Sequence, residues 1–133
     1  MTINKISDYL HTLRLDASSV SADVLEAIPY DRLAPDTWVE IEFPEFTSLC
    51  PRTGLPDFGT IAIRYLPDRA VVELKSLKYY FLQYRNCGIF YEQLTPQILN
   101  HLVWKLQPLE MEVKARFTSR GGLSSSVVSR YKK

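Results

Sequence analysis

The chain has 133 residues, of which 46% are hydrophobic, and its 16 basic side chains face 15 acidic ones. This length fits one domain, and this apolar content is enough for a packed core. The near balance of charge gives no electrostatic reason to expect direct binding of nucleic acid or of an anionic membrane. No apolar run approaches the ~20 residues needed to span a bilayer. Because the sequence shows no secretion signal and only two cysteines, we expect a cytoplasmic protein with reduced thiols.

The chain begins with a segment that is predicted to form an arm rather than a folded unit. Residues 1–36 mix polar and apolar positions and are interrupted by Pro29 and Pro35. We therefore expect one helical turn there, around residues 23–27. A single folded domain is predicted to cover residues 37–133.

Two strands and a loop are predicted next. The β-rich residues 37–43 favour one strand, and the alternation of apolar and polar side chains over 58–65 favours a second. The segment 44–56 between them contains proline and glycine residues typical of turns and is predicted to be a loop. A short strand is expected over 70–73.

Helical spacing follows. Four apolar residues predict a helix over 73–85. These residues are Leu74, Leu77, Phe81 and Tyr84. Gly88 is predicted to end this helix in the left-handed conformation. A second helix is predicted to start between residues 92 and 96, with Thr95 as a candidate cap, and to end at Pro108.

A hairpin is predicted at the end of the chain. Residues 111–117 alternate between apolar and charged side chains, Gly121 and Gly122 form a turn, and residues 123–128 pair back. The complete order is strand, strand, helix, helix, strand, strand. This order indicates an α+β fold (ββααββ) with one antiparallel sheet and two helices on one face.

Cys50 is the first candidate for chemistry, because it lies in the predicted loop between the first two strands. Arg52 is a nearby cation that would favour the thiolate, and Asp57 at the start of the next strand is available as an acid or a base. The alternative is a cysteine that packs under the turn as a small hydrophobic side chain. The spacing of Cys50 and Asp57 does not by itself decide between the two.

Two cationic features are candidates for binding phosphate. Lys75 and Lys78 lie on one side of the first predicted helix. Such a patch suits the phosphate groups of a dinucleotide cofactor, although many helices carry a solvated lysine face. Arg120 precedes Gly121 and Gly122, and this arrangement is either a simple hairpin turn or a phosphate-binding turn.

Glu92 lies at the start of the second predicted helix, where the helix dipole alone favours a carboxylate. Its two oxygens would also match the ring N–H and exocyclic amine of a guanine-like or pterin-like base, with Phe90 beside the ring. His11 and His101 have no Cys, His or carboxylate partners at metal-ligand spacing, so no metal site is predicted. We expect His101 to be structural.

Several of these segments together resemble the 7-cyano-7-deazaguanine reductases, the nitrile-reducing enzymes of queuosine biosynthesis in tRNA modification. The resemblance is to the short single-domain type and runs from about residue 38 to residue 123. The family signature, Glu-(Ser/Leu)-Lys-(Ser/Ala)-x-Lys-(Leu/Tyr)-aromatic, is met by residues 73–80. The other matching segments are Glu45 to Pro51, Gly54, Pro56-Asp57-Phe58, Tyr84-Arg85-Asn86, Phe117-Thr118 and Arg120-Gly121-Gly122.

The resemblance implies the tunnelling fold, in which an antiparallel sheet with two helices assembles into closed rings. Active sites in this superfamily lie between subunits. We therefore expect a homo-oligomer of at least five subunits whose substrate is the small molecule 7-cyano-7-deazaguanine.

The resemblance also implies roles for individual residues. Cys50 is the nucleophile that forms a thioimidate with the nitrile, Asp57 is the proton donor, and NADPH is the hydride source. The implied substrate-binding residues are Val72, Glu73, Leu74, Phe90, Tyr91 and Glu92. The implied cofactor-binding residues are Lys75, Lys78, Arg120, Gly121 and Gly122.

Two features depart from the family pattern. The usual His-Glu pair before the second helix is Tyr91 and Glu92 here, and the acidic and Cys-containing residues that normally follow are absent from 93–96. Tyr91 donates a hydrogen bond but does not titrate near neutral pH, so a different base-binding edge or pH profile is expected. Relatives that form an amidine from the same nitrile with ammonia lack the lysine signature, which favours a reductase. A non-catalytic pteridine- or purine-binding protein of this fold is the remaining alternative.

Overall fold

The computed structural model describes residues 15–133, which form eight strands, two α-helices and three short 3-10 helices (Ala17–Ser19, Ala22–Val24 and Gln83–Asn86). No helix in this part of the chain is long and apolar enough to cross a membrane. The elements are β1 (Leu15–Asp16), β2 (Ala27–Pro29), β3 (Val39–Leu49), β4 (Pro56–Leu66), β5 (Ala70–Val72), α1 (Leu74–Leu82), β6 (Cys87–Gly88), α2 (Tyr91–Leu106), β7 (Glu110–Arg120) and β8 (Leu123–Lys132).

Six strands form one sheet, in the order β1-β6-β3-β4-β7-β8. The four long strands pair antiparallel, and the short β6 and β1 extend the β3 edge in parallel. Strands β2 and β5 form a separate two-stranded sheet. The predicted α+β class is confirmed. Strands β1, β2 and β6 were not predicted, because each has only two or three residues and none carries a pair of β-branched side chains such as Val71-Val72 in β5.

The predicted loop over 44–56 is wrong in its first half, because β3 continues to Leu49. Only residues 50–55 join β3 to β4. The strand passes Pro44 through a β-bulge, which appears as a shift in its register against β4. Proline has no N–H to give to a ladder and is accommodated at bulges, so Pro44 bends the strand instead of ending it.

Helix α1 begins after Glu73, whose carboxylate accepts hydrogen bonds from the N–H groups of Lys75 (2.8 Å) and Ser76 (2.6 Å). These bonds satisfy two of the N–H groups that have no partner inside a helix. Leu74 was predicted to lie on the apolar face of this helix, but its side chain is 62% exposed. As the first helical residue it lies beside the cap, away from the core.

Helix α2 starts at Tyr91, slightly earlier than predicted, with Phe90 as its N-cap residue. Thr95 is therefore not a cap; it lies inside the helix, where its hydroxyl donates to the Tyr91 carbonyl (3.0 Å). Gly88 is not left-handed either, because it pairs as part of β6. The left-handed helix terminus is at Gln107, which ends α2 with φ 49°.

Both helices cover one face of the sheet. Phe81 of α1 stacks on Phe43 of β3, with ring centroids 4.9 Å apart, and α2 packs over β7 and β8. The opposite face of the sheet, which carries Arg64 and Lys114, is not covered by any helix of residues 15–133. The buried face of β4 and β7 is formed by Ile61, Ile63, Tyr65, Met111, Val113 and Ala115.

His101 joins the two helices. Its Nδ1 shares a 2.6 Å hydrogen bond with the hydroxyl of Tyr80, and that hydroxyl also bonds the hydroxyl of Tyr84 at 2.8 Å. Burial lowers the pKa of His101, which favours the neutral ring. These contacts fit the structural role predicted for His101, whereas His11 lies outside the described residues.

The described part of the N-terminal arm packs against the domain. Val20 and Leu25 are buried in the core. Ser21 and Gln83 exchange two hydrogen bonds, of 2.8 Å from the Ser21 N–H and 2.9 Å to the Ser21 carbonyl. The division of the chain at residue 36 stays a prediction.

Candidate active site

Cys50 lies in the tight turn that joins β3 to β4. Its N–H donates to the Leu55 carbonyl (2.8 Å), and its carbonyl accepts from the Gly54 N–H (2.8 Å). Gly54 has φ 72°, a left-handed conformation that glycine adopts without a steric cost. The turn is thus closed by its own backbone and leaves the thiol partly exposed.

The surroundings of Cys50 lower the pKa of its thiol. Burial alone would raise this pKa, but several hydrogen bonds outweigh burial. The donors are the Thr53 side chain, the backbone N–H groups of Thr53 and Arg52, and the Arg120 side chain. Each of these donors favours the thiolate. Arg52 was predicted as the nearby cation, yet it contributes its backbone N–H. The guanidinium belongs to Arg120, which β7 brings close by pairing with β4.

Asp57 is the second residue of β4, and its side chain is only 3% exposed. The Arg120 Nη1 lies 2.5 Å from its Oδ1. The hydroxyl of Thr47, on the neighbouring strand, donates to its backbone carbonyl at 2.8 Å. A buried carboxylate requires a charged or hydrogen-bonding partner, and here the strand pairing and the guanidinium together fix its position.

Tyr91 packs beside this pair. Its ring stacks on Phe117, with centroids 3.5 Å apart and an interplanar angle of 8°. Gly59 makes room for Phe117, because a Cβ at Gly59 would lie 2.8 Å from the Phe117 Cδ1. Burial is the main cause that raises the pKa of Tyr91; the neighbouring Asp57 carboxylate also raises it, and Arg120 lowers it. The hydroxyl therefore stays protonated at neutral pH.

Cys50, Asp57, Tyr91 and Arg120 line one cavity of about 370 Å³, here called the thiol cavity. This volume is in the range of small-molecule sites. A neighbouring groove of about 890 Å³ runs along α2 and shares Phe90 and Glu92 with the thiol cavity. The predicted site residues that line the thiol cavity are Cys50, Asp57, Phe90, Tyr91, Glu92 and Arg120.

Apart from Gly121 and Gly122, the other predicted site residues lie in the segment 72–78, here called the α1 segment. Val72 is buried in the core. Glu73 uses its carboxylate to cap α1, while Leu74, Lys75 and Lys78 are exposed to solvent. None of these five residues lines the thiol cavity. Within one chain the predicted site is therefore in two separate parts.

The Gly121-Gly122 pair forms the predicted hairpin turn between β7 and β8. Both residues have left-handed backbones, with φ of 56° and 82°, which glycine favours. Both are exposed and lie outside the thiol cavity, although Arg120 immediately before them lines it. The turn therefore positions the guanidinium at Asp57.

Two features around Asp57 were not predicted. The contact of Arg120 with Asp57 depends on strand pairing across the sheet, for which the local sequence gives no signal. Ser48 lies opposite Asp57 in the β3–β4 register, and it was hidden by the wrongly predicted loop. In residues 15–133 we find no group of three or more His, Cys, Asp or Glu side chains that could hold a metal ion.

The sequence of this chain matches a known protein family. The family model described as QueF-like protein matches residues 56–133. A protein of Chlorobaculum parvum named NADPH-dependent 7-cyano-7-deazaguanine reductase is 58% identical over 96 residues, which are 72% of this chain and 83% of that protein. A protein of the same name from Pelodictyon phaeoclathratiforme is 53% identical over 111 residues, which are 82% of this chain and 94% of that protein.

A solved structure shares the fold. It is the crystal structure of the archaeosine synthase QueF-Like in the apo form, with a TM-score of 0.66 and 22% sequence identity over 70% of this chain and 91% of that one. At this identity the likeness shows the fold alone. The family match over more than half of the chain and the identity to the curated relatives show that the chain belongs to the QueF-like family.

Proposed function

We propose that this chain is an NADPH-dependent 7-cyano-7-deazaguanine reductase, which converts the nitrile of its substrate to an aminomethyl group in queuosine biosynthesis. The observation that carries the proposal is the thiol cavity, in which a cysteine of lowered pKa and a buried aspartate line the same wall. The names of the curated relatives supply the substrate and the cofactor. A cytoplasmic location fits this role and stays a prediction.

Cys50 and Asp57 suit the first step. The Cys50 thiol gives its proton to the Asp57 carboxylate and its sulfur adds to the nitrile carbon. One carbon–nitrogen π bond breaks, and its electron pair goes to nitrogen, which takes that proton from Asp57. The product is a thioimidate, with the sulfur bonded to carbon and the carboxyl left ionised. A free nitrile is a poor hydride acceptor, so addition of the thiol with protonation prepares the carbon for reduction.

Glu92 and Phe90 suit recognition of the deazaguanine. Both line the thiol cavity and the adjoining groove, and both are exposed enough to meet a ligand. A carboxylate accepts two parallel hydrogen bonds, from the ring N–H and the exocyclic amine, and the Phe90 ring can lie against the base. The stacking of Tyr91, which lies between Phe90 and Glu92 in the sequence, on Phe117 holds this side of the cavity in place.

The α1 segment suits the cofactor. Lys75 and Lys78 are exposed cations one helical turn apart, and this donor set fits phosphate groups. NADPH supplies the hydrides that reduce carbon, two of them for the four-electron change. Arg120 was predicted as a further phosphate contact. Its ion pair with Asp57 favours a role beside the reacting thiol instead.

We further propose that the site is completed by a second copy of the chain within a ring of at least five subunits. Strand β8 is a ten-residue edge of the sheet whose outer backbone groups have no neighbouring strand among the described residues. Such an edge is a template for pairing with another chain. The exposed Leu74 and the groove along α2 offer apolar surface for that contact. The ring size rests on the family resemblance.

Oxidation of NADPH on addition of 7-cyano-7-deazaguanine tests the reductase directly. We expect about two NADPH consumed per nitrile, because the conversion to an aminomethyl group takes four electrons. Formation of an amidine with ammonia and no NADPH would establish the amidine-forming alternative, for which the archaeosine synthase offers likeness of fold only. Tight binding of the base without turnover or adduct would establish a non-catalytic binding protein.

A further inference from the structure

Ser48 is a buried polar residue that the fold does not explain. It is the next-to-last residue of β3 and has no exposed surface. Its hydroxyl is the one buried side-chain polar atom without a hydrogen-bond partner within residues 15–133. A buried hydroxyl left unpaired lowers stability, so its presence calls for a role outside the resting fold.

The register of the sheet places this hydroxyl beside the proton donor. Ser48 and Asp57 are directly opposite each other in the β3–β4 ladder, so their side chains project from the same face with Cβ atoms about 4.5–5.5 Å apart. Both side chains are buried. The hydrogen bond from Thr47 to the Asp57 carbonyl (2.8 Å) holds the two strands in this register.

Proton transfer at Asp57 favours a hydroxyl partner of this kind, in addition to Tyr91, which also lies beside the carboxyl. Arg120 occupies Oδ1, so the proton that Asp57 delivers has to be carried by Oδ2. When that proton leaves, a negative charge appears on a carboxyl that is almost fully buried. A serine hydroxyl rotates freely and serves as either donor or acceptor, so it can bond a carboxyl in both of its protonation states.

We propose that Ser48 is a positioning residue for Asp57, whose hydroxyl bonds the Asp57 carboxyl during proton transfer to the substrate nitrogen. This inference rests on the proposed nitrile reduction. Ser48 touches neither the nitrile nor the cofactor in this role; it acts through Asp57. Its hydroxyl is unpaired in the resting chain and finds its partner in the reacting complex.

The substitution Ser48→Ala tests the proposal by separating turnover from folding. We expect kcat to fall about tenfold, with the KM for the nitrile changed less than about twofold and a melting temperature no lower than that of the parent. Ser129→Ala, the same change at a half-buried strand position outside the thiol cavity, should leave all three values unchanged. A parental kcat in Ser48→Ala would overturn the proposal, as would a lowered melting temperature with unchanged kcat.

A double-mutant cycle separates action through Asp57 from a general effect on the site. The rate of adduct formation between Cys50 and the nitrile is measured by intact mass in the parent, in Ser48→Ala, in Asp57→Asn and in the double variant. If Ser48 acts through Asp57, Ser48→Ala slows adduct formation in the parent and has no further effect in Asp57→Asn. Equal slowing in both backgrounds contradicts the proposal. Failure of the parent itself to form an adduct or oxidise NADPH would instead refute the proposed function.

Discussion

The thiol cavity and the α1 segment differ in how complete each is within a single chain. In the thiol cavity, the turn after β3, the start of α2 and the end of β7 meet, and Arg120 bonds Asp57 directly. In the α1 segment, the Glu73 carboxylate caps its own helix and the neighbouring side chains face solvent. The group proposed to move a proton needs fixed geometry and lies on paired strands, whereas the proposed cofactor surface of the α1 segment stays open to a ligand and to a second chain.

The largest loss in the thiol cavity is expected from Asp57→Asn. This change keeps the size of the side chain and removes the transferable proton, so turnover should fall by roughly 100- to 10,000-fold. Binding of the base, measured by calorimetry, should change little because Glu92 and Phe90 are intact. Turnover within a few-fold of the parent would remove Asp57 from the mechanism.

Arg120→Ala should affect the thiol itself. Because Arg120 helps to lower the pKa of Cys50, its loss raises that pKa and reduces the thiolate fraction at neutral pH. The midpoint of the pH dependence of Cys50 alkylation should move to higher pH, and kcat should fall about tenfold or more. Arg116→Ala, on the exposed side of the same strand, is the matched control.

The same variant distinguishes two roles for this cation. If Arg120 serves the thiol and Asp57, the KM for NADPH stays close to that of the parent. A raised KM for NADPH with an unchanged alkylation profile would return Arg120 to the phosphate site that the sequence predicted.

Changes in the α1 segment should be smaller and should act on the cofactor. Lys75→Ala and Lys78→Ala are each expected to raise the KM for NADPH by about three- to tenfold with little change in kcat, since each removes one charge-assisted contact. The difference from the parent should shrink as salt is added, because exposed charges are screened. Lys105→Ala, at the end of α2, serves as the control. An unchanged KM for NADPH in both Lys75→Ala and Lys78→Ala would disprove the proposed phosphate contacts of the α1 segment.

Mixing two defective chains, assayed at an NADPH concentration well below the parental KM, tests whether the two regions come from different subunits. Cys50→Ala chains lack the nucleophile, and Lys75→Ala/Lys78→Ala chains lack the cofactor patch. If one subunit supplies the thiol cavity and its neighbour the α1 segment, subunit exchange in an equal mixture should restore about a quarter of the sites. Activity no higher than the average of the two separate variants would place both regions in the same chain.

The sequence predicted the parts of this molecule that carry a periodic pattern. The alternation in β4 and β7 and the helical spacing in α2 gave the α+β class, and the glycine pair gave the final hairpin. The strand prediction failed at Pro44, because pairing with β4 continues β3 through a bulge at this residue. The loop prediction then concealed Ser48, whose position opposite Asp57 depends on that strand.

The candidate site was predicted as a set of residues but not as an arrangement. Cys50 and Asp57 were found through their motif, and the structure brings them to one cavity. The partnership of Arg120 with both of them depends on pairing between residues far apart in sequence, which single-sequence patterns do not encode. The sequence does not predict assembly either, because the side chains of the edge strand β8 alternate in the same way whether or not another chain pairs with it.

The most direct test of the central claim, that Cys50 attacks the nitrile, is intact-mass measurement after incubation with 7-cyano-7-deazaguanine in the absence of NADPH. We expect the parent mass to increase by the full mass of one substrate, since addition releases no leaving group. Cys87→Ala should form the same adduct, because Cys87 is fully buried in the core. Cys50→Ala should form none. An adduct that persists in Cys50→Ala and disappears in Cys87→Ala would contradict the account.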